Sequence, residues 1–395
     1  MWRYFFNEII ISPAGAAVRT GLDNIYSYNE IFKNKRIGII ANHTSYDSRG
    51  RFIIDVFEDL ENVKITALFA PEHGFEGKCQ DGQKIGNSYT DSNIPVYSLY
   101  GENRWPTKQM LENVDILVFD IQDVGCRYYT YISTLGLAMK SAAKCGKEFV
   151  ILDRPNPINS QDVQGNTIQN KYSFVGLYPI PVRYGMTIGE LGAMIKGEGW
   201  LKSVKQPELT VIKMTGFERS YWYDQTELKF INPSPNMTSL EAAAMYPGSC
   251  LLEGTNLSEG RGTDRPFLVF GAPWISGQRI TDKLNLLNLP GIEFRAKEFT
   301  PTISKYAEKK CQGSEIIITD RNAVNSFYCG IAIVKTIHEM YPEGFQWKEG
   351  HFDLLCGSDN IRKNIEERES LDKLKQQWEK NLKKFLKIRS KYLLY

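Results

Sequence analysis

The apolar run RIGIIAN (36–42) is the first of four similar runs that decide the fold of this chain. The other three are KITALFA (64–70), DILVFD (115–120) and EFVILD (148–153). Short, nearly continuous apolar runs rich in β-branched residues are typical of strands buried on both faces of a parallel sheet. Segments with helical patterns lie between them, around 51–60, 106–113 and 130–144. This alternation predicts an α/β fold with an open, doubly wound and mostly parallel sheet.

The proline-containing segment FINPSPNMT (230–238) separates this first part of the chain from the rest. It has no apolar period and is typical of a linker or domain-crossing loop. We therefore expect one domain over 20–235 and a smaller α/β (α+β) domain over 236–395. Before the linker, TIGELGAMIK (187–196) predicts a helix with Thr187 or Met186 near its N-cap and Glu190 in its first turn.

The C-terminal domain is expected to begin with a helix over 239–245 and to contain a strand over 315–319. The chain then ends in a predicted amphipathic helix. Its apolar side chains recur at spacings of three and four residues, namely Leu371, Leu374, Trp378, Leu382 and Phe385. We expect this stripe to pack on the body of the protein, with lysine stems at its rim; contact with a membrane surface is the alternative.

Composition excludes several classes of protein. The 395 residues carry 48 Lys and Arg against 46 Asp and Glu, a formal charge of +2, which gives no electrostatic reason to expect a nucleic-acid partner. Seven cysteines without a C-x-x-C pair argue against a disulfide scaffold or a structural zinc module. No apolar run reaches the roughly 18 residues of a membrane helix, so no integral membrane segment is expected.

The first 18 residues, MWRYFFNEIIISPAGAAV, allow two interpretations. The first interpretation is a degenerate or misplaced signal peptide, because the segment has one early arginine, an apolar stretch broken by Glu8, and small residues near its end. The alternative is an aromatic-rich arm that packs on the body. The compartment of the protein is left open by this segment.

Polar groups follow all four predicted strands, and the carboxyl ends of parallel strands share one edge of a sheet. Two of the four histidines, His43 and His73, lie in these segments. This coincidence predicts a functional site at that edge. The candidates for substrate binding there are Asn42, His43, Gln122, Asp123, Arg127, Tyr129, Asp153, Arg154 and Asn156.

No cofactor is expected at this edge. A dinucleotide site would need G-x-G-x-x-G after a strand, and neither this pattern nor a P-loop is present. His43, His73 and Asp120 could supply metal ligands, but the chain has no H-x-H or H-E-x-x-H pattern, so a metal site is disfavoured. A metal-dependent hydrolase is kept as an alternative.

Paired carboxylates fit the residues better. Glycoside hydrolysis uses one carboxylic acid to protonate the leaving oxygen and a second group to stabilise or attack the sugar centre. Glu72 follows Pro71 at a strand end, and Gly74 leaves room for a substrate. We therefore predict Glu72 as the general acid, with His73 beside it; the alternative is a carboxylate that only caps a helix start. Asp120, Asp123 and Glu253 are candidates for the second carboxylate.

A second polar segment, EGTNLSEGRGT (253–263), lies in the other half of the chain. Its three glycines permit close approach of the backbone to a ligand. Glu253 and Asn256 could bind hydroxyl groups, and Arg261 could hold a carboxylate in a bidentate pair. The alternative is a turn in which Arg261 bridges the two domains.

Several of these segments resemble one known family, the NamZ-type exo-β-N-acetylmuramidases, once catalogued as a domain of unknown function. The matching segments occur in family order and span roughly residues 20 to 365. They are GIIANHTS (38–45), LFAPEHGFEG (68–77), IPVYSLYG (94–101), VFDIQDVGCRYYTYISTL (118–135), ILDRPNP (151–157), GMTIGELG (185–192), LEGTNLSEGRGTDRPF (252–267) and FDLLCGSDNIR (352–362).

The resemblance implies a Rossmann-like N-terminal domain, a smaller α/β C-terminal domain and an active site in the cleft between them. It implies release of terminal N-acetylmuramic acid from the non-reducing end of peptidoglycan fragments, and a location in the periplasm or cell envelope; a cytoplasmic location is the alternative. It supports a catalytic Glu72. Residues implied in or near the pocket are His43, His73, Asp120, Gln122, Arg127 and Glu253.

The lactyl carboxylate of muramic acid would give Arg127 or Arg261 an anion to bind. The family pattern has His before the glycine at 185, whereas this chain has Tyr184, which can donate a hydrogen bond but carries no positive charge. A retaining, inverting or substrate-assisted mechanism is open at this point. A non-catalytic binder of wall fragments is the alternative function.

Overall fold

The computed structural model describes residues 17–79, 86–90, 92–203 and 205–395. In this part of the chain, the N-terminal half forms a seven-stranded sheet in the order β3-β4-β2-β1-β5-β6-β7. All neighbouring strands are parallel except β3 and β4. The strands are β1 (Arg36–Ala41), β2 (Lys64–Ala70), β3 (Ser88–Tyr89), β4 (Pro95–Ser98), β5 (Ile116–Asp120), β6 (Glu148–Leu152) and β7 (Leu209–Ile212).

The C-terminal half contains an antiparallel sheet in the order β8-β10-β9, formed by β8 (Val269–Ala272), β9 (Ile292–Phe299) and β10 (Cys311–Ile318). The helices are α1 (Asn29–Phe32), α2 (Ile53–Glu58), α3 (Tyr131–Cys145), α4 (Ile188–Gly197), α5 (Leu240–Ser249), α6 (Gly277–Asn285), α7 (Ser326–Met340), α8 (Glu349–Cys356), α9 (Asn360–Glu366) and α10 (Leu371–Arg389). Short 3₁₀ helices span Ile25–Tyr28, Tyr223–Gln225 and Cys250–Gly254. The predicted α/β fold, with a mostly parallel sheet followed by a small α/β part, is confirmed.

The four apolar runs form β1, β2, β5 and β6, which are the centre of the large sheet. The helix predicted around 106–113 is wrong, because this segment forms successive turns. The Thr107 hydroxyl accepts the Met110 amide, and the Leu111 amide bonds the Thr107 carbonyl. Leu111 and Val114 are both buried in the main core, and β5 begins two residues after Val114.

Of the two predicted N-cap candidates of α4, Thr187 is the residue that caps the helix. The Thr187 hydroxyl accepts the Glu190 amide, and the Glu190 carboxylate accepts the Thr187 amide. This capping box satisfies two of the amides that a helix start otherwise leaves without partners.

The amphipathic stripe of α10 packs inward as expected. Leu374, Trp378 and Phe385 are buried, and the Trp378 ring lies 5.3 Å from Phe327 on α7. The chain then returns to the N-terminal half, where the Tyr395 hydroxyl donates to Asp153 at 2.7 Å. The C-terminal segment is therefore attached to both halves of the molecule.

No helix among the described residues is both long and apolar enough to cross a membrane. The interpretation of the first 18 residues concerns a segment of which residues 1–16 lie outside the described part of the chain. The domain boundary at 235/236 stays a prediction.

Arg127 joins the two halves. It is fully buried, and its guanidinium donates to the carbonyls of Asn166 at 2.6 Å, Ile180 at 2.9 Å and Leu355 at 2.7 Å. Leu355 lies on α8 of the C-terminal half, whereas the other two carbonyls belong to the N-terminal half. Burial lowers the pKa of Arg127. Its bonds are therefore structural, and its guanidinium is not exposed to a substrate carboxylate.

We expect Arg127→Met to lower the free energy of unfolding by about 3 kcal/mol or more, because three buried carbonyls would lose a charged donor. Thermal unfolding followed by circular dichroism measures the change. Arg279→Met, on an exposed face of α6, is the matched control and should leave the melting temperature unchanged. Equal melting temperatures for the two variants would contradict the structural role.

Candidate active site

Glu72 lies directly after β2 and lines a cavity of about 500 Å³ at the carboxyl edge of the large sheet. Its side chain is nearly buried, with 9% of its surface exposed. The Thr130 hydroxyl, just before α3, donates to Glu72 Oε2 at 2.5 Å. Among the described residues, Glu72 has no Lys, Arg or His partner, so its other carboxyl oxygen is available to a bound molecule.

The segment that follows Glu72 has a left-handed backbone. His73 has φ of 72° and Gly74 has φ of 79°, conformations that side-chain-bearing residues rarely adopt. The His73 ring is buried, and its Nδ1–H donates to the Cys79 carbonyl at 2.8 Å. This bond stabilises the turn and thereby holds Glu72 at the edge of the cavity.

The C-terminal half contributes a second carboxylate, Glu253, from the 3₁₀ helix Cys250–Gly254. Arg261 binds it at 2.7 Å, and His351 at the start of α8 lies 3.5 Å away. Burial opposes the ionisation of Glu253, but Arg261 and His351 outweigh it and lower the pKa of this carboxyl to about 2. Glu253 is therefore ionised at neutral pH, and it lines the same cavity as Glu72.

One wall of the cavity consists of aromatic side chains from both halves. Tyr129 meets Tyr131 edge to face at 4.9 Å and Tyr246 at 5.7 Å, and Tyr246 meets Phe267 at 4.8 Å. The Arg261 guanidinium lies over the Phe267 ring at 4.9 Å. Such a wall offers ring faces and edges to the apolar side of a sugar.

Arg104, in the loop that follows β4, lines the cavity and is exposed. Its guanidinium lies 4.5 Å from the centre of the Phe174 ring. It makes no ion pair with the described residues, whereas Arg261 is already bonded to Glu253 and, at 3.3 Å, to Glu259. Arg104 is therefore a cation of this cavity that, within the described residues, is open to an anionic group.

Asp120 lies outside this cavity, because its carboxylate is buried against Arg154, which donates to Asp120 Oδ2 at 2.8 Å. Asp123 accepts the Tyr184 hydroxyl and the Gly125 amide, and burial raises the pKa of Asp123 to about 6. These bonds place Tyr184 beneath the strand ends and away from the cavity. Neither Asp120 nor Asp123 faces Glu72.

Asp153 and Asn156 also have structural roles. Asp153 accepts the Thr187 hydroxyl and the Gly189 amide, both at 2.7 Å, and burial raises its pKa to about 6. The Asn156 amide donates to the Met186 carbonyl at 3.1 Å. Their bonds fix the start of α4 against the sheet, so the structure does not bring these two predicted residues to the cavity.

Asn42 and Asn256 support the cavity from outside it. The Asn42 amide donates to the Tyr131 hydroxyl at 3.0 Å, and that hydroxyl donates to the Pro233 carbonyl at 2.8 Å. Asn256 bonds the Gly344 carbonyl at 2.8 Å, which holds its own loop in place.

His43 and Gln122 line a different, larger cavity together with Arg154. His43 Nε2–H donates to the Asn232 carbonyl at 2.7 Å, and burial lowers the pKa of this histidine. Gly77 packs so closely on this ring that a Cβ there would lie 1.9 Å from His43 Nδ1. Gln122 donates to two carbonyls, those of Asp123 and Pro155, both at 2.8 Å.

The structure adds residues that the sequence interpretation missed, notably Thr130, His351, Tyr246 and Arg104. His351 directly precedes the segment FDLLCGSDNIR and is one of four histidines, so rarity could have drawn attention to it. Arg104 lies in an irregular loop, where no pattern marks it. In the described residues, no group of three or more His, Cys, Asp or Glu is placed to hold a metal ion.

Comparisons with known proteins agree over most of the chain. Residues 37–241 match the family "Exo-beta-N-acetylmuramidase NamZ, N-terminal", and residues 244–395 match its C-terminal counterpart. The chain is 45% identical over 383 residues to the peptidoglycan beta-N-acetylmuramidase NamZ of Bacillus subtilis (strain 168), covering 96% of this chain and 91% of that protein.

Two crystal structures of DUF1343 family proteins from Bacteroides fragilis NCTC 9343 are also similar. One has a TM-score of 0.89 and 36% identity, covering 97% of this chain and all of that one. The other has a TM-score of 0.77 and 32% identity, covering 96% of this chain and 99% of that one. The matches extend across both halves and include every segment that builds the cavity. The chain belongs to the NamZ family of exo-β-N-acetylmuramidases, and it is a glycosidase.

Proposed function

We propose that this enzyme removes terminal N-acetylmuramic acid from the non-reducing end of peptidoglycan fragments in the cell envelope, with Glu72 as the general acid. The observation that carries the proposal is that Glu72 and Glu253, from the two halves of the chain, line one cavity. Its volume of about 500 Å³ and its aromatic wall suit a single sugar with its substituents.

Glu72 suits proton donation because of its contacts. Its neighbour is a neutral hydroxyl, that of Thr130, and no cation among the described residues holds it as a carboxylate. The Thr130 bond occupies Oε2 and fixes the carboxyl plane. Oε1 can then carry the proton that goes to the glycosidic oxygen as the bond to the sugar breaks.

Glu253 suits the role of the second carboxylate. Arg261 and His351 keep it ionised, so it presents a fixed negative charge to a sugar centre that becomes positive in the transition state. Asp120 and Asp123, the other candidates for the second carboxylate, are bonded to Arg154 and Tyr184 instead.

Arg104 suits recognition of the lactyl carboxylate, the group that distinguishes muramic acid from glucosamine. It lines the cavity without an ion-pair partner in the described residues, whereas Arg127 is buried among carbonyls. Its planar guanidinium, stacked on Phe174, can hold a carboxylate with two parallel hydrogen bonds.

Glu72→Gln should reduce kcat for a muramyl-glucosamine disaccharide by about 100-fold or more, since general acid catalysis contributes that much. The loss should be smaller for para-nitrophenyl β-N-acetylmuramic acid, because nitrophenolate leaves with little protonation. Glu76→Gln, an exposed glutamate in the same loop, is the control and should retain full activity. Equal losses on both substrates, or no loss, would contradict the general-acid role.

Glu253→Gln should reduce kcat on both substrates by about 100-fold, because charge stabilisation is needed whatever the leaving group is. Steady-state kinetics on the two substrates distinguishes this pattern from that of Glu72→Gln. Glu349→Gln, exposed at the start of α8, is the matched control. A Glu253→Gln enzyme that keeps its kcat would exclude Glu253 as the second carboxylate.

Arg104→Gln should lower kcat/KM for the muramyl aryl glycoside by about 10- to 100-fold, the value of a charge-assisted hydrogen bond to a carboxylate. Hydrolysis of the N-acetylglucosamine analogue, which lacks the lactyl group, should change far less. Arg279→Gln is the control, since it removes an exposed arginine that does not line the cavity. An equal loss of kcat/KM on both sugars would show that Arg104 does not recognise the lactyl group.

A further inference from the structure

The second cavity, which we term the switch-point cavity, has a volume of about 860 Å³ and opens at the carboxyl edge between β1 and β5. Strand order reverses there: the chain runs from β1 to β2 on one side and continues from β5 to β6 on the other. Open α/β sheets bind ligands at this position. His43, after β1, and Gln122, after β5, line this cavity.

The switch-point cavity adjoins the cavity of Glu72. Ser234 lines both, and the segment around it is bonded to each side. On one side the Asn232 carbonyl accepts His43, and on the other the Pro233 carbonyl accepts Tyr131. The two cavities therefore lie side by side, with Ser234 in the wall that they share.

The lining of the switch-point cavity combines ring faces with positive charge. Tyr46, 36% exposed, and Phe230 lie at its wall. Arg49 and Lys229 are exposed at its rim, and neither makes an ion pair with the described residues. The nearby carboxylate of Asp47 is already bonded to Arg51 at 3.1 Å. An anionic ligand with apolar ring faces could contact both the aromatic side chains and the positive charges.

We propose that the switch-point cavity binds the part of the glycan that leaves after cleavage, with Arg49 and Lys229 attracting its carboxylates. This inference rests on the proposed function, because it takes the Glu72 cavity to hold the terminal sugar. The chain beyond the scissile bond then has to continue past Glu72. In a wall glycan, the next muramyl unit carries a lactyl or peptide carboxylate, which is the anion that the two cations select.

The test compares two substrates in the double variant Arg49→Glu/Lys229→Glu. A tetrasaccharide of alternating muramyl and glucosamine units reaches both cavities, whereas para-nitrophenyl β-N-acetylmuramic acid fills one. The ratio of kcat/KM for the tetrasaccharide to that for the aryl glycoside should fall about tenfold, as expected for two partly exposed charge pairs. The fall should appear in KM and should diminish in 0.5 M NaCl, because salt screens exposed charges.

The control Arg279→Glu/Lys283→Glu makes the same charge change on an exposed face of α6 and should leave the ratio unchanged. An unchanged ratio in Arg49→Glu/Lys229→Glu would overturn the inference. Calorimetric binding of the tetrasaccharide in a Glu72→Gln background separates this inference from the proposed function. There the double variant should bind about tenfold more weakly even if no substrate is turned over, and equal affinity would again overturn the inference.

Discussion

The buried guanidinium of Arg127 is the interaction on which the active site depends. It holds the carbonyl of Leu355 on α8 and two carbonyls of the N-terminal half. Tyr129 and Thr130 follow it two and three residues later in the chain; both line the cavity, and the Thr130 hydroxyl donates to Glu72. Since α8 begins with the turn that carries His351, one side chain fixes the positions of groups on both sides of the cleft.

Charge pairing separates the two glutamates of the cavity. Glu253 is surrounded by Arg261 and His351 and stays ionised, whereas Glu72 meets a neutral hydroxyl. Two carboxyl groups in different surroundings can take different parts in one reaction, and acid-assisted glycoside cleavage requires two such parts. The asymmetry arises because each half of the chain supplies one carboxyl group with its own partners.

The sequence was sufficient to predict the sheet and the edge that carries the site. Runs such as 115–120 are apolar enough that only a buried parallel strand explains them, and the position of Glu72 follows from the end of such a run. Sequence could not separate residues that face the cavity from those that hold it. Arg127 and Asp153 have the residue types of ligand-binding groups, but their partners are backbone groups and side chains distant in sequence.

Arg104 and His351 line the cavity but could not be predicted from the sequence. Neither lies at the end of a predicted strand, and each reaches the cavity only through tertiary packing. Their contribution depends on how the loop near Phe174 and the start of α8 are placed, which is a property of the assembled halves. The resemblance to a known family supplied the activity, whereas the assignment of chemistry to particular side chains required the contacts.

A crystal structure of Glu72→Gln with a bound muramyl-glucosamine disaccharide tests the central claim most directly. The account predicts the muramyl ring in the cavity between the two halves, with the glycosidic oxygen within hydrogen-bonding distance of the side chain at position 72 and Glu253 on the same sugar. A disaccharide bound elsewhere, or bound there with residue 72 turned away from the glycosidic oxygen, would contradict it.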